Sequence, residues 1–276
     1  MTPRDSIDPM AFHDFERAGW QRAAVHYPGT FGTLTLQAVE PLLDAAGVGP
    51  GLRVLDVASG PGYAASAAGA RGARVAGVDF SPPMVDEARR RYPDLVFREG
   101  DAAALPFEDA SFDAVVMNFG LLHLARPEVA IAEAHRVLRL GGRYALTVWA
   151  GPEEAMGFGV VLRAMEACGT LDVGLPDGPP FFRFSDFEEC RRTFTQAGFS
   201  TVQVRKLPLV WRLPAADALF QAALQGGVRT SAVLQAQAPQ ALSAIRRAVH
   251  AALQAYREQE GIAVPMPAVL ASGTKA

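Results

Sequence analysis

The sequence is poor in cysteine, in long apolar runs and in charge. Only two cysteines, Cys168 and Cys190, occur among 276 residues. No CxxC or metal-ligand spacing links them, so neither a disulfide framework nor a cysteine metal site is expected. A reducing cytoplasm is the expected compartment. Apolar runs such as 54–57 and 114–117 fall far short of the roughly 20 residues that cross a bilayer, so no membrane span is expected. The first ten residues hold Arg4, Asp5, Asp8 and two prolines but no apolar stretch, so they read as a loose tail and not as a secretory signal. Lys and Arg number 26 against 29 Asp and Glu, a net charge of −3. No basic stripe of the kind that marks nucleic-acid binding stands out. The short run Arg89-Arg90-Arg91 reads as the solvated face of a helix.

Half of the residues are apolar, which excludes a disordered chain. The length allows a sizeable core and suggests about two domains, or one with additions. After the tail (1–10), helical patterns fill 11–47, where Pro28-Gly29 ends the first and Pro41 must kink or restart the second. From 52 onward, short apolar runs at 53–58, 73–80, 95–99, 112–118 and 143–149 alternate with helical stretches near 62–70, 83–91 and 127–140. That alternation means βαβ units and a parallel sheet. Consecutive apolar residues suit strands covered on both faces. Further on come a helix at 153–168, a helix over 186–197 with a Ser185/Glu188 capping box, and a strand at 200–206. Helices follow at 214–225 and 240–258. A last strand over 262–271 is confined to an edge by Pro265 and Pro267.

Three signals fall at the carboxyl ends of successive strands, where ligands bind in open α/β sheets. The first is the turn 54–62, VLDVASGPG. Its glycines allow close backbone approach, and the amides at the helix start favour a polar or anionic group. Read alone it is also compatible with an ordinary tight βα turn. The second is Asp79 in GVDFS (77–81), a carboxylate placed to accept from two ribose hydroxyls. The alternative reading, a helix N-cap, is already filled by Ser81. The third is Gly100-Asp101-Ala102, where a carboxylate can accept from an exocyclic amine, or form an Asx-turn.

With GDAAALPFEDASFDAVVMNFGLLHL (100–124) and RVLRLGGRYALTVW (136–149), these motifs resemble the class I S-adenosylmethionine-dependent methyltransferases of the small-molecule, UbiE-like type. The resemblance covers about 50–150. It implies an α/β, Rossmann-like, doubly wound and mostly parallel seven-stranded sheet with helical cap additions. It implies S-adenosyl-L-methionine as cofactor and S-adenosyl-L-homocysteine as product. Carried over residue by residue, it places Asp56, Ala58, Gly60 and Gly62 at the methionine half. Many relatives have glycine where Ala58 stands. Asp79 falls at the ribose, Phe80 and Met84 beside the adenine, Asp101 and Ala102 at its amine, Asn118 and Phe119 near the sulfonium. Tyr27 is the aromatic that closes over the cofactor.

The domain plan that follows is N-terminal cap helices (11–47), the cofactor-binding core (48–150), and a helix insertion with completion of the sheet (151–206). A helical cap or lid (207–260) and a final edge strand and tail (261–276) complete it. The candidate general base is His123, which follows the fourth strand and carries an imidazole, the side chain type suited to proton transfer near neutral pH; its alternative is a loop-packing histidine. His26 is a weaker candidate, while His135 and His250 read as surface or packing residues. The Asn118-Phe119-Gly120-Leu121 run lacks the N-P-P-Y motif of similar amino-methylating enzymes. The loop 118–127 has no carboxylate, so no metal is expected. A small acceptor remains, with an oxygen, nitrogen or carbon nucleophile, in a pocket walled by cap aromatics. These are Trp20, Phe31, Trp149, Phe158, Phe181, Phe182, Trp211 and Phe220, with His26, Phe31 and Trp149 as candidate pocket residues. A non-catalytic cofactor-binding protein and a nicotinamide oxidoreductase stay open as alternatives, although the turn fails GxGxxG. Monomer and homodimer are both open.

Overall fold

Strands form where apolar residues follow one another, and helices where they recur every three to four residues. The computed structural model describes residues 8–276. It opens with α1 (Pro9–Ala23), α2 (Phe31–Thr35) and α3 (Val39–Ala45). The alternating section is β1 (Arg53–Val57), α4 (Tyr63–Ala70), β2 (Arg74–Asp79), α5 (Pro82–Arg91), β3 (Val96–Glu99), β4 (Phe112–Asn118), α6 (Pro127–Val137) and β5 (Leu138–Trp149). Then come α7 (Met156–Cys168), α8 (Phe187–Gln196), β6 (Phe199–Leu207), β7 (Val210–Leu213), α9 (Ala216–Gln225), α10 (Arg229–Gln235) and α11 (Pro239–Ala252). The chain closes with β8 (Arg257–Glu258), β9 (Gly261–Pro265) and β10 (Ala268–Lys275).

One sheet has the order β3-β2-β1-β4-β5-β10-β6. The five strands β1 to β5 are parallel, with Val57 beside Val78 and Asp79 beside Glu99. Their carboxyl ends therefore share one edge. This is the expected Rossmann-like seven-stranded sheet. Its core is apolar: Val54, Leu55, Val115, Val116, Met117 and Leu146 are all fully buried.

Several expectations are corrected. Of the tail, residues 1–7 lie outside the described residues, and Pro9 and Met10 already belong to α1. Asp8 caps that helix by accepting from the Met10 and Ala11 amides at 3.0 and 3.2 Å, and Pro9 loses nothing at a position whose N–H has no helical partner. The final edge strand is two strands. β9 ends at Pro265 and lies in a small antiparallel sheet of order β7-β9-β8. β10 starts after both prolines, retains every N–H, and sits inside the main sheet, antiparallel to β5 and β6. The region 207–260 is accordingly not all helix, since it supplies β7 and β8. The cap of α8 is Asp186, which accepts from the Glu188 amide at 2.8 Å, while Ser185 ends a 3-10 turn. Pro41 acts as expected: the second helical pattern of 11–47 is broken into α2, a 3-10 turn over Leu36–Ala38, and α3, which holds Pro41 in its first turn.

Gly273 of β10 lies opposite Tyr144, whose ring stacks on Phe194. A Cβ there would stand 2.9 Å from Phe199 and 3.0 Å from Phe194. Gly273→Val should therefore overpack this corner and lower the unfolding free energy by about 1–3 kcal/mol. Urea denaturation measures this, and an unchanged midpoint would contradict the packing described.

Candidate active site

The turn after β1 holds Ala58 and Gly60 in the left-handed region, at φ +54° and +51°. Ala58 is unusual there, because a Cβ costs about 1–2 kcal/mol in that conformation. Gly120 faces it: a Cβ at Gly120 would meet the Ala58 methyl at 2.5 Å. The chain accommodates alanine at 58 by having none of that bulk at 120. Asp79, at the end of β2, is buried and accepts the Gly60 amide on Oδ2 at 2.8 Å and the Ser81 amide on Oδ1 at 2.9 Å. Burial pushes its carboxyl up to about 6, against the pull of those two donors. Ala58, Gly60, Asp79, Phe80, Met84, Asp101, Ala102, Asn118 and Phe119 together line one cleft, with Gly100, Gly120 and Leu124. Asp101 also forms an Asx-turn, accepting from the Ala103 amide at 2.8 Å.

The cleft is roofed by α1. Arg17 donates to the Phe80 carbonyl at 3.1 Å and to Glu99 at 2.6 Å. The His13 ring meets Phe80 edge-on at 5.6 Å. Trp20 of α1 and Tyr27 beyond it complete the lining. Tyr27 bonds the Thr35 hydroxyl at 2.9 Å, and burial pushes its phenol up to about 12, so it stays protonated.

After β4 the chain turns sharply. Phe119 has φ +56°, a strained value for a bulky residue. It is held by its amide, which donates to both the carbonyl and the hydroxyl of Thr147 at 3.1 Å, and by stacking on Trp149 at 4.0 Å. Asn118 is fixed between the Thr147 hydroxyl at 2.7 Å and the Thr35 carbonyl at 3.1 Å. His123 follows on a 3-10 turn, with Nδ1 3.0 Å from Glu16 of α1.

Beyond this turn lies a second cavity of about 330 Å³, inside the usual range for small-molecule sites. Its walls include Phe31, Trp149, Phe158, Phe181, Phe182 and Trp211. Trp20, Tyr27, Phe119 and His123 line both spaces. The two cavities thus meet at one wall.

Three expected residues are not brought to either space. Asp56 is buried behind the turn, where its Oδ2 accepts the Ala65 amide at 2.9 Å and its Oδ1 has no partner among the described residues. It braces the start of α4. Gly62, at φ +85°, is a packing glycine: a Cβ would stand 2.8 Å from Phe97 and 3.0 Å from Tyr92. His26 is exposed and borders a separate surface depression beside Gln225 and Gln235. Of the cap aromatics, Phe220 is buried but lines neither cavity, while the others do. His135 packs on Phe199, and His250 lies 3.1 Å from Asp217. Sequence reasoning missed Glu16. Its signal is a carboxylate on the buried face formed by Phe12, Gly19 and Ala23. Thr35, Arg229 and Thr230 of the second cavity were missed too, since nothing local marks them.

The family model described as a methyltransferase domain matches residues 55–146. The demethylmenaquinone methyltransferase of Renibacterium salmoninarum is 35% identical over 175 residues, covering 60% of this chain and 74% of that protein. The chain belongs to the S-adenosylmethionine-dependent methyltransferases. Solved structures share its fold. The YcgJ protein of Bacillus subtilis has a TM-score of 0.58 at 20% identity, covering 87% of this chain and 98% of its own. Phosphoethanolamine N-methyltransferase 2 of Haemonchus contortus, solved with phosphomonomethylethanolamine and S-adenosylhomocysteine, has 0.53 at 19%, covering 87% and 52%.

The methyltransferase uses S-adenosylmethionine. The cleft has the donor set for it: a buried carboxylate at Asp79, a turn whose backbone is exposed at Ala58 and Gly60, and apolar faces at Phe80 and Met84. Among the described residues no group of three His, Cys, Asp or Glu could hold a metal ion, and no helix is long and apolar enough to cross a membrane.

Burial pushes the Asp56 carboxyl up to about 7, against a usual value near 3.8. Its folded value exceeds the unfolded one, so its contribution to stability is full below about pH 4 and is lost as pH rises through 7. Asp56→Asn should therefore gain on the parent between pH 4 and pH 8, by up to about 4 kcal/mol. Thermal unfolding at both pH values checks this. A difference independent of pH would show that Asp56 is not the buried acid described.

Proposed function

We propose that this methyltransferase transfers the methyl group to a small, largely apolar aromatic acceptor held in the cavity under the cap, with His123 as general base. The observation that supports it is the wall shared by the two spaces. A cofactor in the first cleft and an acceptor in the second could approach each other only past Trp20, Tyr27, Phe119 and His123. The acceptor class follows from Phe31, Trp149, Phe158, Phe181, Phe182 and Trp211, which offer flat apolar faces and few polar groups. The demethylmenaquinone for which the relatives are named is one candidate of this kind.

In this reading Asp79 accepts from the ribose, using the lone pairs left over by the Gly60 and Ser81 amides. Ala58 and Gly60 bring backbone against the methionine half. Phe80 and Met84 flank the adenine, while Asp101 and Ala102 meet its amine. Tyr27 closes the cofactor from above. Asn118 and Phe119 lie toward the sulfur, and Trp149 and Phe31 grip the acceptor. The bound cofactor supplies a methyl group already activated on a sulfonium. The chain supplies position and exclusion of water, which together can be worth about 7–11 kcal/mol. His123 accepts a proton wherever the acceptor must lose one, a step worth typically about 10²–10⁴-fold.

Asp79→Ala should weaken S-adenosylhomocysteine binding at least tenfold, by removing charge-assisted hydrogen bonds of about 1.5–3 kcal/mol. In the parent protein the affinity should fall as pH drops through about 6, where Asp79 takes up a proton. Calorimetry at pH 5 and pH 8 reads both effects. An unchanged dissociation constant in the variant would remove Asp79 from the ribose site.

A methyl-transfer screen against phenols, naphthols, quinols, amines and carboxylates tests the acceptor. Turnover is expected with flat aromatic members, and His123→Ala should lower it about 10²-fold or more with cofactor binding intact. Full turnover in that variant would dismiss the base.

A further inference from the structure

Glu16 is an ionisable side chain in the middle of the buried face of α1, between Phe12 and Gly19. It is 1% exposed. Only one of its oxygens has a hydrogen-bond partner, the Oε2 that lies 3.0 Å from His123 Nδ1; Oε1 is buried with none among the described residues. Burying a carboxylate is costly unless it is hydrogen-bonded, and the His123 ring is the one hydrogen-bond partner it has among the described residues. The histidine is held on its other sides by aromatic edges. The Trp20 ring meets it at 4.8 Å and 88°, and the Phe181 ring at 5.8 Å and 72°. Glu16 itself lines neither cavity, whereas His123 lines both.

We infer that Glu16 is a positioning residue for His123. Its carboxylate can only accept, so the proton on the neutral ring sits on Nδ1 and the lone pair sits on Nε2. Nε2 is then the atom that takes the acceptor's proton. In that step the acceptor's X–H bond breaks toward Nε2, and the freed electron pair forms the bond to the methyl carbon. The pair of the carbon–sulfur bond leaves with sulfur. Positive charge passes from the sulfonium to the imidazolium, directly against the Glu16 carboxylate, which stabilises it.

Glu16 is carried by α1, the same helix that places Arg17 on the Phe80 carbonyl and Trp20 over the shared wall, so one helix supplies both the partner of His123 and the roof of the cleft.

This inference rests on His123 being the base, but its test does not use turnover. Nitrogen-15 NMR of histidine-labelled protein, without acceptor and above the pH at which the rings are charged, reports which ring nitrogen carries the proton. The parent protein should show His123 protonated on Nδ1. Glu16→Ala should shift the ring toward the Nε2–H form that histidine favours in water. S-adenosylhomocysteine should still bind the variant within about threefold, as α1 keeps its Arg17 anchor. If the alanine variant loses cofactor binding or folds poorly, Glu16→Gln, nearly equal in volume, replaces it and should show a mixture of both forms. A parent protein with the proton on Nε2, or the same tautomer in parent and variant, overturns the inference. Those outcomes are separate from the loss or survival of turnover in His123→Ala, which judges the base alone.

Discussion

Five parallel strands end on one edge of the sheet, the edge at which open α/β sheets bind their ligands. Every group argued to bind or react hangs from that edge or from what covers it. The β1 turn brings Ala58 and Gly60, the end of β2 brings Asp79, the loop after β3 brings Asp101 and Ala102, and the end of β4 brings Asn118 and Phe119. Because the strands are buried on both faces, these ends are held by the core itself. That rigidity supports two left-handed non-glycine residues, Ala58 and Phe119, in the turns that line the cleft. Strain of this kind persists only where the surroundings over-determine it. Here the surroundings are Gly120 beneath Ala58, and Thr147 with Trp149 around Phe119.

The core was legible in the sequence because its signals are local. Each apolar run and each punctuating glycine or proline acts within a few residues, and the runs at 53–58, 73–80 and 112–118 became β1, β2 and β4 with shifts of at most a residue. That Ala58, Gly60, Asp79, Phe80, Met84, Asp101, Ala102, Asn118 and Phe119 share one cleft was legible for the same reason: all lie at strand ends or in the short segments that follow them. Asp56 and Gly62 belong to the same motif but face inward, and spacing alone does not separate a residue that meets a ligand from one that holds the turn that meets it. The last strand is not legible locally, because Pro265 and Pro267 mark a break within the apolar run and not an edge. The chain instead begins β10 at Ala268 and inserts it where pairing partners on both sides are 60 or more residues away.

The cap was the least legible part. Its aromatics carry no local mark of whether they fill a core or line a pocket; Phe220 does the first and Phe158 the second. In the small sheet β7 pairs with β9 across about 50 residues, as Trp211 with Val264 and Leu213 with Ile262 show, whereas β8 and β9 form a local hairpin. Glu16 was invisible for a related reason. Its partner His123 is 107 positions away, and only the docking of α1 brings them together. The opening scarcity of charge takes on meaning in this light. In a chain with few ionisable groups, the acids found buried, Glu16, Asp56 and Asp79, all lie in or next to the parts that form the cleft.

The central claim is that cofactor and acceptor occupy the two adjoining cavities and meet at Trp20, Tyr27, Phe119 and His123. A crystal structure with S-adenosylhomocysteine bound tests this most directly. The account predicts the ribose on Asp79, the adenine beside Phe80 and Met84, and the sulfur at the shared wall, facing the aromatic cavity. An adenosyl group seated among Phe158, Phe181 and Trp211, or a sulfur turned away from His123, would contradict it.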